Sequence, residues 1–380
     1  MSPDTQAALH APAARPGEWP PRFGATPGDR EAILVLSHLE SLTPRDVHRL
    51  AHEEGSAARC LAAIRSGAVG SAGDRDAAGR VDVRSVRAAL ASTRARVAYP
   101  GDPQYPPSLL ELADPPACLF LRGRPLPTGP AVAVVGARLC SPYGLEMATA
   151  IASGVAAAEV AVVSGAALGI DGAAHRGALQ VDGHTVAVLG SGIDVPHPRS
   201  NRRLIEDIAR VGTVVSEYPP GTPPVPRRFP ARNRIIAALA RAVVVVEGAS
   251  GSGSLLTAEF GMDLHREVLA LPGPVTSPLS EAPHALIRDG AALVRGPDDV
   301  LAQVGLDGKG ADALEIVGLS EDQRAVLGAV AGTGLTLEAV AARAGVPAGV
   351  TTAALAELEL RGLIRAVGGR YERTGKEIAR

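Results

Sequence analysis

Residues 229–248 read FPARNRIIAALARAVVVVEG, a helix-length segment running straight into an unbroken apolar stretch. Val243 to Val246, followed by Glu247 and Gly248, is the pattern of a strand buried on both faces and ending in a turn. Ahead of it, Ile235 and Ile236 supply the buried face of a helix expected over 232–240, with Arg232, Asn233 and Arg234 at its opening. Donors placed there favour an anion, because free N–H groups and the helix dipole act together.

Working outward, the same alternation repeats from 131 to 295. Strands are expected at AVAVVG (131–136), EVAVVSG (159–165), TVAVLG (185–190), GTVVSE (212–217), EVLALPG (267–273) and ALVRG (292–296), with helices near 143–157, 172–181, 200–210, 254–264 and 283–289. Continuous Val, Ala and Leu runs separated by helical crossovers predict a Rossmann-like, doubly wound, mostly parallel α/β sheet. Residues 1–28, rich in Ala, Pro and Gly, are expected to be disordered. Residues 29–97 predict a small helical domain, with Thr43-Pro44 as an N-cap and first-turn pair. The Rossmann-like domain takes 98–303, and a Gly-rich linker takes 304–312. Residues 313–380 read as three helices and a hairpin turning at Gly368-Gly369, a winged-helix order. From Leu319 to Glu372 this part has five Arg against six acids, and its third helix carries Glu357 and Glu359. That charge opposes a grip on duplex DNA and favours a protein-contact module.

Composition removes several classes. The 380 residues carry a net charge of -2, so attraction to nucleic acid has to be local. Lys309 and Lys376 are the two lysines. No glycine loop therefore ends in the Lys that a P-loop ATPase needs. Cys60, Cys118 and Cys140 form no CxxC, which fits a reduced cytoplasmic protein without a zinc site. With no run approaching 18 apolar residues, no membrane association is expected.

Ligands of α/β sheets bind beyond the carboxyl ends of the strands, and each strand end here carries a motif. In GARLCSPYG, Gly136 lets the backbone turn and Arg138 offers a planar fork for phosphate. In SGAALGIDGAAH, Gly165 and Gly169 shape a loop and Asp171 is placed to cap a helix. GSGIDVPHPRSN and GASGSGSLLTAEFG follow later strands. Asp171 and His175, four apart, read either as an acid/base dyad or as a cap plus a buried imidazole. Glu217 and Glu247 read either as catalytic carboxylates or as loop-ordering groups. From Arg199 to Arg241 nine Arg face three acids, interleaved with Tyr218 and Phe229. Guanidinium forks for phosphates beside an aromatic face for a base suit single-stranded nucleic acid.

These motifs, with SEYPPG, FPARNRII and LALPG in the same order and spacing, resemble the DprA/Smf family of DNA-processing proteins over about residues 98–300. A helical N-terminal domain (SAM- or HhH-like) and a C-terminal winged helix also occur in that family. The resemblance implies a non-catalytic protein without a cofactor. It would bind single-stranded DNA, form homodimers and load the RecA recombinase during natural transformation. Carried over by position, Gly136, Arg138, Phe229, Arg232 and Arg234 would form the DNA pocket. Asn233 would tie the loop, and Gly165, Gly169 and Asp171 would shape the floor. Three positions depart from the pattern: Leu168 stands where a basic residue is common, His197 replaces a tyrosine and His284 an asparagine. Leu168 cannot bind a phosphate, and Arg227 and Arg228 are candidates to do so in its place. The alternative is an enzyme resembling the cytokinin-activating phosphoribohydrolases, whose PGGxGTxxE loop falls on 251–257. Its catalytic glutamate would then fall on Thr257, with Glu259 two residues on.

Overall fold

The computed structural model describes residues 16–306, 320–330, 334–361 and 363–373, in two compact units that divide at Asp307 and Gly308. The first unit opens with helices α1 (Pro27–Leu36), α2 (Pro44–Glu54), α3 (Ala57–Ser66), α4 (Ala72–Arg80) and α5 (Val83–Ser92). Thr43 caps α2 as a capping box with Asp46, and Pro44 sits in the first turn, where a missing N–H costs nothing.

Strands β1 (Ala95–Ala98) and β2 (Leu119–Gly123) lead into the alternating part: β3 (Ala131–Val135), α6 (Pro142–Ala157), β4 (Ala161–Ser164), α7 (Ile170–Gln180), β5 (Thr185–Leu189), α8 (Arg202–Val211), β6 (Thr213–Ser216), α9 (Arg228–Ala238), β7 (Ala242–Val245), α10 (Gly253–Asp263), β8 (Glu267–Ala270), α11 (Glu281–Arg288), β9 (Ala292–Leu293) and α12 (Pro297–Gln303). The sheet order is β1-β2-β6-β5-β4-β3-β7-β8-β9. From β6 to β9 every neighbour is parallel, with Val132 opposite Val162 on one side and Val134 opposite Val244 on the other. β1 and β2 add an antiparallel margin, Leu121 pairing with Val215. Strand β3 is followed to one side by β4 and to the other by β7, so the order reverses there. The crevice outside that switch point is where a doubly wound sheet takes its ligand.

Valines on both faces of β3, β4 and β7 are buried, and β5 buries Val186 and Val188 on one face and Ala187 and Leu189 on the other, as the uninterrupted apolar runs require. The opening helices share a core with the sheet: Ile33, Leu50 and Ile64 belong to one cluster with Phe120, Leu189 and Ile205.

Two expectations need correction. Residues 16–28 are ordered: Trp19 stacks on Phe23 with ring centroids 4.1 Å apart, both side chains are buried, and Gly17 N–H donates to Leu110 O. Two large aromatic rings supply enough apolar burial to fix a Pro- and Gly-rich segment. Residues 1–15 lie outside the described residues, as does 307–312 of the expected linker. The second correction concerns α9, which starts at Arg228 rather than at 232. Pro230 falls in its first turn, the part of a helix that tolerates proline. Arg232, Asn233 and Arg234 are therefore in the second turn, where backbone N–H groups are already engaged.

The second unit contains α13 (Glu321–Ala329), α14 (Leu337–Ala344), α15 (Ala348–Leu360) and a hairpin of β10 (Ile364–Val367) and β11 (Arg370–Arg373). Val326, Leu355, Leu358 and Ile364 form its core. Glu359 accepts from Ala366 N–H at 3.0 Å, and Glu357 from the Gln323 amide. Both acids of the third helix thus have structural partners. Among the described residues no single helix is long and apolar enough to cross a membrane.

Candidate nucleic-acid interface

A pocket of about 180 Å³ opens at the switch point, lined by Gly136, Arg138, Asp171, Phe229, Arg232 and Asn233 together with the start of α10. Six expected site residues converge there from three chain segments. A larger cavity of about 480 Å³ lies around Ala131 and Arg241, at the opposite, amino ends of the strands, away from these motifs.

The arginines of this region separate into distinct roles. Arg138 is exposed on the loop after β3, its guanidinium carbon 5.6 Å from the centre of the half-buried Phe229 ring. Arg232 is buried and points inward: Nη1 donates to Gly165 O at 2.7 Å and also to Val188 O. Burial lowers its pKa to about 10, against the pull of Asp171 and with the help of Arg138, so it stays charged at neutral pH. Gly165 is required opposite it, since a Cβ there would lie 2.4 Å from the guanidinium. Arg234 was expected at the DNA contact, yet its side chain is 2 % exposed and clamped to Glu217 at 2.6 and 2.9 Å and to Asp114 at 3.2 Å. Burial works against its charge, but Glu217 and Asp114 more than offset this and raise its pKa. The helix that presents Arg232 to the strand ends carries Arg234 round to a different neighbour, so it is a structural brace. Arg228 is likewise buried, donating to Pro223 O at 2.6 Å and Glu40 at 2.9 Å. Arg227 remains exposed, 3.7 Å from Glu40.

The floor is built from the loop after β4. Asp171 accepts from Gly165 N–H at 3.2 Å and Ala167 N–H at 3.4 Å, and Asn201 donates to Ala166 O and Ala167 O. Gly169 has φ +73°, and a Cβ on it would strike Ala137 O at 2.2 Å, so the β3 and β4 loops touch only because it is glycine. His175 is fully buried. Thr185 Oγ1 spends its hydrogen on Val162 O, so His175 Nδ1 must donate to Thr185, leaving Nε2 to accept from Ala166 N–H. That neutral tautomer satisfies every partner. Burial, with Arg232 and Arg176 adding to it, lowers the His175 pKa to about 3. Asp171 and His175 are thus a loop clasp rather than an acid/base dyad. Glu247 is another clasp, accepting from Ser141 Oγ at 2.6 Å and Ser141 N–H at 2.9 Å. Asn233 ties α9 to α10, donating to Gly253 O at 3.1 Å.

His197 stands out in the sequence only as a departure from the family pattern, and the structure brings its ring to 5.0 Å from that of Phe229. Leu168 is exposed, and His284 faces Gly273 O at 3.0 Å. Asn201 and Glu40 escape a reading of the sequence; nothing local marks either, because their partners are distant in the chain.

A doubly wound sheet with a cationic, aromatic crevice at its switch point, in a chain that also carries a winged helix, defines a class of two-unit proteins with a candidate anion-binding sheet edge. Residues 96–305 match the family model for DNA recombination-mediator protein A, and residues 311–370 match the DprA winged helix domain. The chain belongs to the DprA/Smf family of DNA-processing proteins. A Mycobacterium tuberculosis putative DNA processing protein DprA is 45 % identical over 249 residues, 63 % of this chain and 64 % of that protein. The chain therefore spans just under two thirds of that relative's length. Protein Smf of Escherichia coli is 44 % identical over 71 % of this chain and 75 % of its own. The structure of Streptococcus pneumoniae DNA processing protein A superposes with a TM-score of 0.63 at 36 % identity, covering 73 % of this chain and 97 % of that one. A Helicobacter pylori DNA processing protein A, described for its single-stranded DNA binding mode, superposes with a TM-score of 0.50 at 26 % identity, covering 56 % and 95 %.

Arg234→Ala should cost about 3–5 kcal/mol in urea unfolding, because it strands Glu217 in a buried position. Arg234→Met combined with Glu217→Leu should cost less than the two single changes summed. The folded-state pKa of His175 is depressed below its unfolded value of 6.5. Its contribution is therefore complete above pH 6.5 and lost as pH falls towards 3. Between those limits wild-type stability should drop faster than that of His175→Gln, by up to about 1.4 kcal/mol per pH unit.

Proposed function

We propose that this protein binds single-stranded DNA in the switch-point crevice, without making or breaking a bond, and hands the strand to a recombinase of the RecA class in the cytoplasm. The observation that carries the reading is the exposed Arg138 guanidinium beside the half-buried Phe229 ring, at the mouth of a pocket built from one sheet edge. A planar cation supplies the phosphate contact and a ring supplies the face for an unpaired base. Arg227, exposed two residues before Phe229 and 3.7 Å from Glu40, is a second candidate phosphate contact, while Arg232, Asn233 and Asp171 hold the pocket in shape. The Helicobacter pylori relative's single-stranded DNA binding supports the ligand, and the recombination-mediator family supports the recombinase partner. Homodimer formation and a protein-contact role for the winged helix are parts of the same proposal.

The non-catalytic reading draws support from the carboxylates. Glu217, Glu247 and Asp171 are each committed to a structural partner. Thr257 stands where the phosphoribohydrolase glutamate would fall, and Glu259 is exposed and absent from the pocket lining.

In a titration of a dT oligonucleotide at several salt concentrations, Arg138→Ala should weaken binding about ten-fold. It should also flatten the plot of log affinity against log salt by about 0.7, one phosphate contact on a single strand. Phe229→Ala should weaken binding while keeping that slope, and duplex of equal length should bind less well. An unchanged slope for Arg138→Ala, or release of adenine from AMP, would overturn the reading.

A further inference from the structure

We propose that His197 is a second stacking plane of the strand-binding site, receiving an unpaired base next to the one on Phe229. This rests on the single-strand reading above and assigns a DNA-contacting residue to the loop after β5.

The imidazole lies 5.0 Å from the Phe229 ring with the planes tilted by 34°, a direct ring contact that joins the two into one aromatic cluster. Phe229 is seated on the end of β5, since a Cβ at Gly190 would come within 2.8 Å of its ring. Both rings are half-buried, so each keeps part of its surface towards solvent. The loop bearing His197 is held before any ligand arrives. Ser191 Oγ donates to Val195 O at 2.6 Å, Gly192 N–H to Thr222 O at 2.9 Å, and Gly221 N–H to Asp194 at 2.8 Å. A pre-positioned ring gives up little freedom on binding.

Among the described residues, the imidazole nitrogens of His197 have no hydrogen-bond partner. Those of His175, His184 and His284 are engaged inside the fold. His197 therefore has no task in holding the structure through its polar edge, and that edge is available to a base or phosphate. Arg138, above Phe229, places a phosphate contact beside the same pair of rings. The chemistry selected is a planar base on a flexible backbone, with no demand for one particular base.

The test compares a dT oligonucleotide with an abasic strand of the same length by fluorescence anisotropy. His197→Ala should bind dT about ten-fold more weakly, the lower part of the range for one missing stack, and bind the abasic strand within about two-fold of wild type. His197→Phe should recover most of the dT affinity, because it restores a planar ring. Equal losses on both strands would mean that His197 only supports the loop, and unchanged dT binding would mean that no base reaches it; either overturns the proposal. Phe229→Ala and Arg138→Ala run alongside. If they weaken dT binding and His197→Ala does not, the second plane alone is wrong. If none of the three matters, the crevice is not the strand site.

Discussion

One guanidinium bridges the carboxyl ends of two adjacent strands. Arg232, in the second turn of α9, donates to the carbonyls of Gly165 and Val188, groups that would otherwise be left unsatisfied where β4 and β5 run out. Charge-assisted bonds of this kind are roughly twice as strong as neutral ones. Here they fix helix α9 against the sheet edge, and with it the position of Phe229 one turn earlier. The loops of the crevice depend on that placement.

Around this bridge, each polar group at the sheet edge divides its work between structure and ligand. Asp171, His175 and Asn201 hold the loop after β4, and Glu247 holds the loop after β3 through Ser141. Arg234 and Arg228 are committed to Glu217 and Glu40. Turned outward at the mouth of the pocket are Arg138 and the partly open rings of Phe229 and His197, with Arg227 exposed but 3.7 Å from Glu40. The site is a rigid cradle whose inward-facing charges are neutralised by the protein and whose outward-facing ones are left for an anion. Such preorganisation lets binding proceed with little ordering cost.

Much of the fold was legible because hydrophobic runs of four or five residues can be satisfied in few ways. The valine stretches at β3, β4, β5 and β7 had to be buried on both faces, and that requires a parallel sheet between helices. The glycine and arginine motifs at their ends located the crevice. The fates of the individual arginines were not legible. Arg232 and Arg234 are two residues apart, yet one meets carbonyls and the other meets Glu217, because positions two apart on a helix point about 200° apart. Glu40 reaches Arg228 across 188 positions, a pairing no local pattern encodes. The helix expected from 232 begins at Arg228, with Pro230 in its first turn. Trp19 and Phe23 lie in a segment whose composition suggests disorder, and composition does not register two rings stacked in a core.

A crystal structure of the full chain with a dT oligonucleotide would test the central claim most directly. The account requires a phosphate within hydrogen-bonding distance of the Arg138 guanidinium and a thymine face on the Phe229 ring, with Arg232 and Arg234 still bound to their present partners. A strand lying elsewhere on the surface, with the switch-point pocket untouched, would contradict it.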